Sequence, residues 1–525
     1  MTITEKITQG KTYLGIEFGS TRIKATLIDD TFAPVAGGSH EWENRLENGY
    51  WTYSLDDISE GLQACFADLK KEVSEKYGVT LTGFGAIGIS AMMHGYMAFD
   101  ADDKLLVPFR TWRNTTTEKA ASELTALFGF NIPQRWSIAH LYQAVLDKEP
   151  HTGSIAHITT LAAYIHYLLT GKRVIGVGDA SGMFPITDGG YDEDMIGKFT
   201  EAAASHGFTQ DIRKILPEVL SAGENAGTLT EEGAKFLDPS GDLKAGIPLC
   251  PPEGDAGTGM AATNAVLPKT GNISAGTSIF SMLVLEKPLK GVYPEIDIVT
   301  TPDGAPVAMV HCNNCCSELD AWVKLFDEFA KLSGHEMKRY EIYDLLYNNS
   351  LKGDADCGGV VSYNYLSGEP VTGVADGRPM YFREPDSSMN LANFFRAQIY
   401  SSFAALCSGM DILFEKEHVA ADQFTGHGGL FKTKGVAQQY LADALRTPVS
   451  VMQTAGEGGS CGIALLAAYM VCADGKTLPE WLESCVFTDM EKSTLKPEKN
   501  GSDGFTGFMK RYNAGLAAEK KLGDA

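Results

Sequence analysis

The chain has 525 residues, 44% of them apolar and 21% charged, and 67 Asp and Glu against 44 Lys and Arg give a formal charge of −23. Such a balance suits a globular protein of two or more domains that folds without staples, while the acidity and the lack of any Lys/Arg cluster exclude a nucleic-acid or anionic-membrane surface. The polar start MTITEKITQGKTY carries no apolar leader core, and the longest apolar run, around Cys461 to Ala473, is short of the ~18–20 residues of a membrane span; a cytoplasmic protein with small-molecule partners is expected.

In chain order, Tyr13 to Ile28, YLGIEFGSTRIKATLI, reads as two strands joined by a tight turn. Gly19 lets backbone approach a ligand, and Ser20 and Thr21 add hydroxyl and N–H donors. Lys24 lies on the returning strand, and Glu17 ends the incoming one. That set suits a phosphate with a divalent cation. Ser54 and Asp57 have capping-box spacing, and Leu55, Ile58, Leu62, Phe66, Leu69 and Val73 then recur at helical intervals, which predicts an amphipathic helix. A short apolar strand closes at Gly88-Ile89-Ser90, and Ala91-Met92-Met93-His94-Gly95 leaves its C-terminal end, where open α/β sheets present ligand-contacting groups. Pro108 to Thr117, PFRTWRNTTT, gathers Trp112, two arginines and Asn114 in one loop suited to reading sugar hydroxyls, or is an ordinary polar surface loop.

Asp179 falls in a turn, GDASG, and residues 189–245 read as mainly helical and peripheral. Pro251 to Met260, PPEGDAGTGM, reads as a glycine-rich loop that leaves the Asp255 carboxylate unobstructed, although an Asp among glycines is commonly a turn residue. A domain boundary is expected near Leu267-Pro268-Lys269. Asn272 to Leu285, NISAGTSIFSMLVL, then repeats the first hairpin's pattern, with Gly276, Thr277 and Ser278 falling where Gly19, Ser20 and Thr21 fell. The chain is thus read as a structural duplication, with phosphates held by two backbone turns and no GxxxxGK[ST] loop. Cys312-Asn-Asn-Cys315-Cys316 lacks a second CxxC or a His pair and is read as packing, in keeping with ten scattered, reduced cysteines.

Asn390 to Glu415 has the spacing of a long buried helix. In FTGHGGLFKTKG a strand meets a glycine turn at Gly426, Gly428 and Gly429 with a helix beyond, and a further turn at Gly456 to Gly462 leads into an apolar helix. Neither turn is in GxGxxG register, which disfavours a dinucleotide fold.

The order of GIEFGSTRIKATLID, GISAMMHG, WRN, GDASG, GDAGTGM, ISAGTS, YLSGE, GHGGLFKTKGVAQQYLADAL and GEGGSCGIALLAA resembles the FGGY carbohydrate kinase family, and within it the xylulokinase branch. The resemblance implies an α/β fold of two actin-like (ribonuclease H-like) ATPase domains with an interdomain cleft. Residues 1–266 would bind sugar and carry the first phosphate hairpin; residues 267–525 would carry the second and bind adenosine. It implies ATP and Mg²⁺ as cofactors, Glu17 holding the metal through water, and Gly19, Ser20, Thr21, Lys24, Gly276, Thr277, Ser278, Gly428, Gly429 and Lys432 contacting ATP. Met93, His94, Trp112, Asn114 and Asp255 would meet the sugar, with Asp255 as general base. Glu17 stands where the family has Asp, Asn114 where it often has Asp, and Met92 where xylulokinases have Gln. The implied reaction is phosphoryl transfer to a ketose, D-xylulose foremost, with L-ribulose, L-xylulose, L-fuculose or a polyol as other acceptors and a homodimer allowed. The competing class is a nucleotide switch on the same fold.

Overall fold

The computed structural model describes residues 1–452, 458–488 and 492–523. Packing divides it into two units: one holds Met1–Val266, Ile298–Val307 and the described residues of 457–489, the other Leu267–Asp297, Ala308 onward to 452 and the described residues after 491. The first cut falls between Val266 and Leu267. The chain nevertheless differs from two consecutive halves, because the helix Gly458–Cys472 packs into the first unit. Its sequence, GGSCGIALLAAYMVC, is apolar on nearly every face, so a helix of this kind is stable only where protein surrounds it. It lies against the first strand so closely that a Cβ on Gly15 would run into the Ser460 carbonyl.

In the first unit, strands β1 (Thr12–Phe18), β2 (Arg22–Asp29), β3 (Pro34–Glu41), β4 (Ala86–Ala91) and β5 (Glu253–Gly254) form a sheet ordered β5-β4-β1-β2-β3. β1 and β2 pair antiparallel with Glu17 opposite Lys24, and β4 runs parallel to β1. Helix α1 (Leu55–Tyr77) begins at the predicted capping box, Ser54 with Asp57, and ends at Gly78 in the left-handed conformation. Its apolar stripe, Ile58, Leu62, Phe66, Leu69 and Val73, joins Leu14, Ile16, Phe18, Ile87 and Ile89 in one core. Asp255 opens helix α2 (Asp255–Ala262), where a glycine-rich loop was expected. The glycines serve close packing instead: Gly254 has an ordinary φ of −74°, and a Cβ there would collide with the Met93 side chain. Residues 189–245 hold only three helices, Glu193–Ser205, Ile212–Ile215 and Glu231–Leu237, separated by turns and short strands, so the mainly helical expectation is corrected.

In the second unit, β6 (Thr270–Ala275) and β7 (Ile279–Val284) form the second hairpin, antiparallel, and with β8 (Pro306–Cys312), β9 (Gln423–His427) and β10 (Val449–Met452) they make the central order β8-β7-β6-β9-β10 of a seven-stranded sheet, to which Asp297–Thr300 adds an edge beyond β8 and Lys492–Leu495 an edge beyond β10. β9 runs parallel to β6, and β10 to β9. The five central strands repeat the first sheet: a hairpin, an outer strand beyond its second arm, and two parallel strands beyond its first; the second sheet adds one further strand at each edge. The long apolar helix is present as α3 (Leu391–Asp411), buried along almost its whole length. Gly426 lies within β9, not in a turn, and faces the Phe431 ring; the turn begins at Gly428. Gly456, expected in a further glycine turn, lies outside the described residues. No helix among the described residues is long and apolar enough to cross a membrane.

Candidate active site

The first hairpin's turn is held by its carbonyls. The Gly19 amide donates to Arg22 O at 3.0 Å, closing the turn, while Trp42 Nε1 donates to Gly19 O at 2.7 Å, the Tyr53 hydroxyl to Ser20 O at 2.6 Å, and the Trp42 amide to Thr21 O at 3.2 Å. Trp42 and Tyr53 stack at 3.9 Å between centroids, so two rings form one rigid clamp. With three successive carbonyls turned onto the clamp, the turn's other edge is left for its N–H groups and hydroxyls. Trp112 joins from the WRN loop, its Nε1 donating to Ser20 Oγ at 3.2 Å. The clamp itself escaped sequence reasoning; its only signal was the aromatic density between Trp42 and Tyr53.

Around this hairpin the first unit gathers carboxyl groups. Glu17 sits at the N-terminal end of the helix Gly458–Cys472, where Ser460 N donates to its Oε2 at 3.2 Å, a favourable place for negative charge. Burial nevertheless pushes its carboxyl up to about 7, helped by the charge of Asp255 and opposed by Lys24 and the amides of Ser460 and Gly459. Asp255 Oδ1 accepts the Met93 amide at 3.1 Å, which ties the expected base to the loop leaving β4. Burial raises Asp255 to about 6 against that hydrogen bond. His94 follows with a left-handed φ of 70°; its Nδ1 lies 3.2 Å from Gly182 O, and its ring stacks on Trp136.

Behind them stand two acids whose part the sequence reading missed. Glu253, on β5 two residues before Asp255, accepts the amides of Gly178 at 3.2 Å and Asp179 at 2.9 Å, and so fixes the helical turn Val177–Ala180. Asp179 is 1% exposed; its Oδ2 accepts the Thr160 hydroxyl at 2.6 Å, and among the described residues its Oδ1 has no partner. Burial drives Asp179 up to about 7 and Glu253 to about 8, each helped by a neighbouring acid. Their signal in the sequence was the carboxylates of PPEGD and GDASG, legible as motifs but not as one cluster.

Two of the positions that depart from the family pattern are tied into the protein itself. Asn114 is 2% exposed and braces the chain: its Oδ1 accepts Trp51 N at 2.9 Å, and its Nδ2 donates to Trp51 O and Thr111 O, both at 2.9 Å. Met92 belongs to the hydrophobic core, its amide on Phe18 O. Both N–H donors of the Asn114 amide are thus spent within the protein, which leaves only its carbonyl oxygen with capacity for a further partner.

In the second unit the turn closes alike, Gly276 N donating to Ser278 O at 2.9 Å, but backbone replaces the aromatic clamp. Cys316 N donates to Gly276 O at 3.0 Å and Cys315 N to Thr277 O at 2.9 Å. Gly276 and Thr277 are exposed, as are Gly428, Gly429 and Lys432. Gly428 has φ 104° and lies against Ala275, where a Cβ would strike the Ala275 carbonyl, so the glycine turn after β9 sits beside the hairpin. No group of three or more metal-binding side chains occurs among the described residues. The five cysteines beyond residue 300 and before 450 are free thiols.

The model of the FGGY carbohydrate kinase N-terminal domain matches residues 12–260 and that of the C-terminal domain residues 271–471. A xylulose kinase of Haemophilus influenzae is 23% identical over 519 residues, covering 95% of this chain and 98% of that protein. An L-fuculokinase of Salmonella typhi is 27% identical over 261 residues, 46% of this chain and 50% of its own. The solved xylulose kinase of Rhodospirillum rubrum superposes with a TM-score of 0.78 at 17% identity, over 98% of this chain and 100% of that one, which carries the two-domain actin-like α/β fold. Two family models that between them span both hairpins, Asp255 and the glycine turn after β9 show that the chain belongs to the FGGY family of carbohydrate kinases, and it is an ATP-dependent sugar kinase.

Proposed function

We propose that this kinase transfers the ATP γ-phosphoryl group to a primary hydroxyl of an open-chain ketose, D-xylulose giving the 5-phosphate. The observation that carries the reading is Asp255, tied at 3.1 Å to the amide of Met93 in the Met-His-Gly loop and raised to about 6 by burial. A carboxylate with that value is ionised at neutral pH yet basic enough to take a hydroxyl proton as the P–O bond forms, a role worth ~10²–10⁴-fold. Met93 and His94 meet the sugar; the N–H edges of the turns at Gly19 to Thr21 and Gly276 to Ser278, with Lys24, meet the phosphates, and Gly428, Gly429 and Lys432 meet the nucleotide. Phosphoryl transfer rests chiefly on such positioning and on fixed donors.

The residues fit a magnesium ion bound mainly by phosphate oxygens and water. The charge of Asp255 helps raise the Glu17 carboxyl, and repulsion of that kind is what a divalent cation relieves. Mg²⁺ keeps several waters and takes one or two carboxylates, so a cluster of three protein ligands is not required. When bound, it would neutralise charge on the transferring phosphoryl group.

The full-length xylulose kinase relative supports D-xylulose, and the match to an L-fuculokinase over half the chain supports a second reading, a different ketose such as L-fuculose. ADP formation with a panel of pentuloses, hexuloses, glycerol and aldonates, with mass detection of the product and a no-sugar control, separates them. Turnover confined to D-xylulose is expected. Turnover on L-fuculose or L-ribulose alone replaces the substrate and keeps the chemistry, and ADP without a phosphorylated product overturns both.

A further inference from the structure

The carbonyls of the second hairpin hang on two adjacent cysteines. Cys315 and Cys316 donate their amides to Thr277 O and Gly276 O, and their sulfurs lie 3.5 Å apart. Cys315 is buried, whereas Cys316 is partly exposed at the N-cap of the helix Ser317–Leu332. The residue before them is anchored elsewhere: Asn314 donates through its amide and Nδ2 to Glu369 Oε2 at 3.3 and 3.1 Å, and the Cys315 carbonyl accepts Asn364 Nδ2 at 3.0 Å. The pair is therefore pinned behind and linked to the hairpin in front.

From this geometry we propose that Cys315 and Cys316 form a redox switch, in which a hydroperoxide joins them as a vicinal disulfide and releases the turn at Gly276 to Ser278. The accessible Cys316 sulfur attacks the peroxide, forming S–O and breaking O–O, and the alcohol leaves with the thiol proton. The Cys315 sulfur then displaces water from the sulfenic acid. Two thiols are oxidised, and one hydroperoxide is reduced to an alcohol and water. The switch follows from geometry. A disulfide needs sulfurs about 2.05 Å apart and Cα atoms ordinarily ~4.4–6.8 Å apart, whereas adjacent Cα atoms across a trans peptide are ~3.8 Å apart. The Cys315–Cys316 peptide must therefore distort. Its N–H is the one that holds Gly276 O, and Asn314 and Asn364 keep the chain from following.

The phosphate role of that turn rests on the function proposed above; the disulfide and the loosened turn do not. The full-length protein is treated with hydrogen peroxide, and three readouts are taken before treatment, after it and after dithiothreitol. Expected are a loss of two hydrogens in the peptide holding Cys315 and Cys316, faster amide exchange at residues 276–278, and about tenfold weaker binding of ATP with Mg²⁺, the equivalent of one to two hydrogen bonds. All three reverse with dithiothreitol and are absent in Cys316→Ser, in which the remaining cysteines control for other oxidation. A Cys312–Cys315 bond, no bond, or a bond without faster exchange at 276–278 overturns the switch. Faster exchange with no nucleotide binding even in the reduced protein keeps the switch and overturns the phosphate role.

Discussion

The two hairpins share one frame and differ in what stands behind them. In the first, indole and phenol groups hold the turn carbonyls, and four raised carboxyl groups, Glu17, Asp179, Glu253 and Asp255, lie in the same unit. In the second, backbone amides hold the carbonyls, and a left-handed glycine turn lies alongside. The duplicated frame supplies a donor edge twice. Under the proposed function the lining would divide the labour: acid and base chemistry would go with the first unit, and the open backbone suited to a nucleotide with the second.

That division is broken most sharply at Asp255. Asp255→Asn keeps the shape and removes the proton acceptor, so steady-state turnover is expected to fall ~10²–10⁴-fold while calorimetric ATP affinity stays near wild type. Equal loss of both would mean that the acid is structural. The counterpart in the second unit is Gly428→Ala, which puts a Cβ into the Ala275 carbonyl at a backbone angle that only glycine adopts readily. A cost of about 1–3 kcal/mol in denaturant unfolding is expected, with weaker ATP binding and little change in sugar affinity.

The acid cluster is sharpened through pH. Asp179 carries a folded value of about 7 against 3.8 in a free chain, so between those values the folded protein holds a proton that the unfolded chain has lost. The stability this gives is fully present below about pH 4 and is lost as pH rises through 7. Asp179→Asn, which keeps the Thr160 contact, is expected to flatten the fall of Tm between pH 5 and pH 8 and to melt higher than wild type at pH 8.5. A steeper fall would reverse the assignment. The smallest effect is expected at the aromatic clamp: Tyr53→Phe removes the hydrogen bond to Ser20 O and keeps the stack on Trp42. A loss of about 0.5–1.5 kcal/mol and about a two- to tenfold rise in KM for ATP should follow, with KM for sugar unchanged.

Where reading the sequence succeeded, the signals were local. Both hairpins, the capped helix Leu55–Tyr77, the buried helix Leu391–Asp411 and the loop at Met93-His94 follow from alternation, helical spacing and turn residues, which act over a few neighbours. Where it failed, distant partners decided. PPEGDAGTGM reads as a loop by its glycines, yet Gly254 admits Met93 and a helix starts at Asp255. The bracing of the WRN loop was likewise out of reach, since it is Trp51, 63 positions away, that takes the Asn114 amide.

By itself, then, the sequence determined the repeated strand-turn-strand frame, the absence of a Walker loop, and the order of motifs that marks an FGGY kinase, because each is written in contiguous residues. Only the tertiary structure decided that the helix after residue 457 belongs with the first unit, that Glu17 meets the amides of Gly459 and Ser460, and that four carboxyl groups share one region. Proton affinity depends on burial and on neighbouring charge, and both arise from residues hundreds of positions apart being packed together.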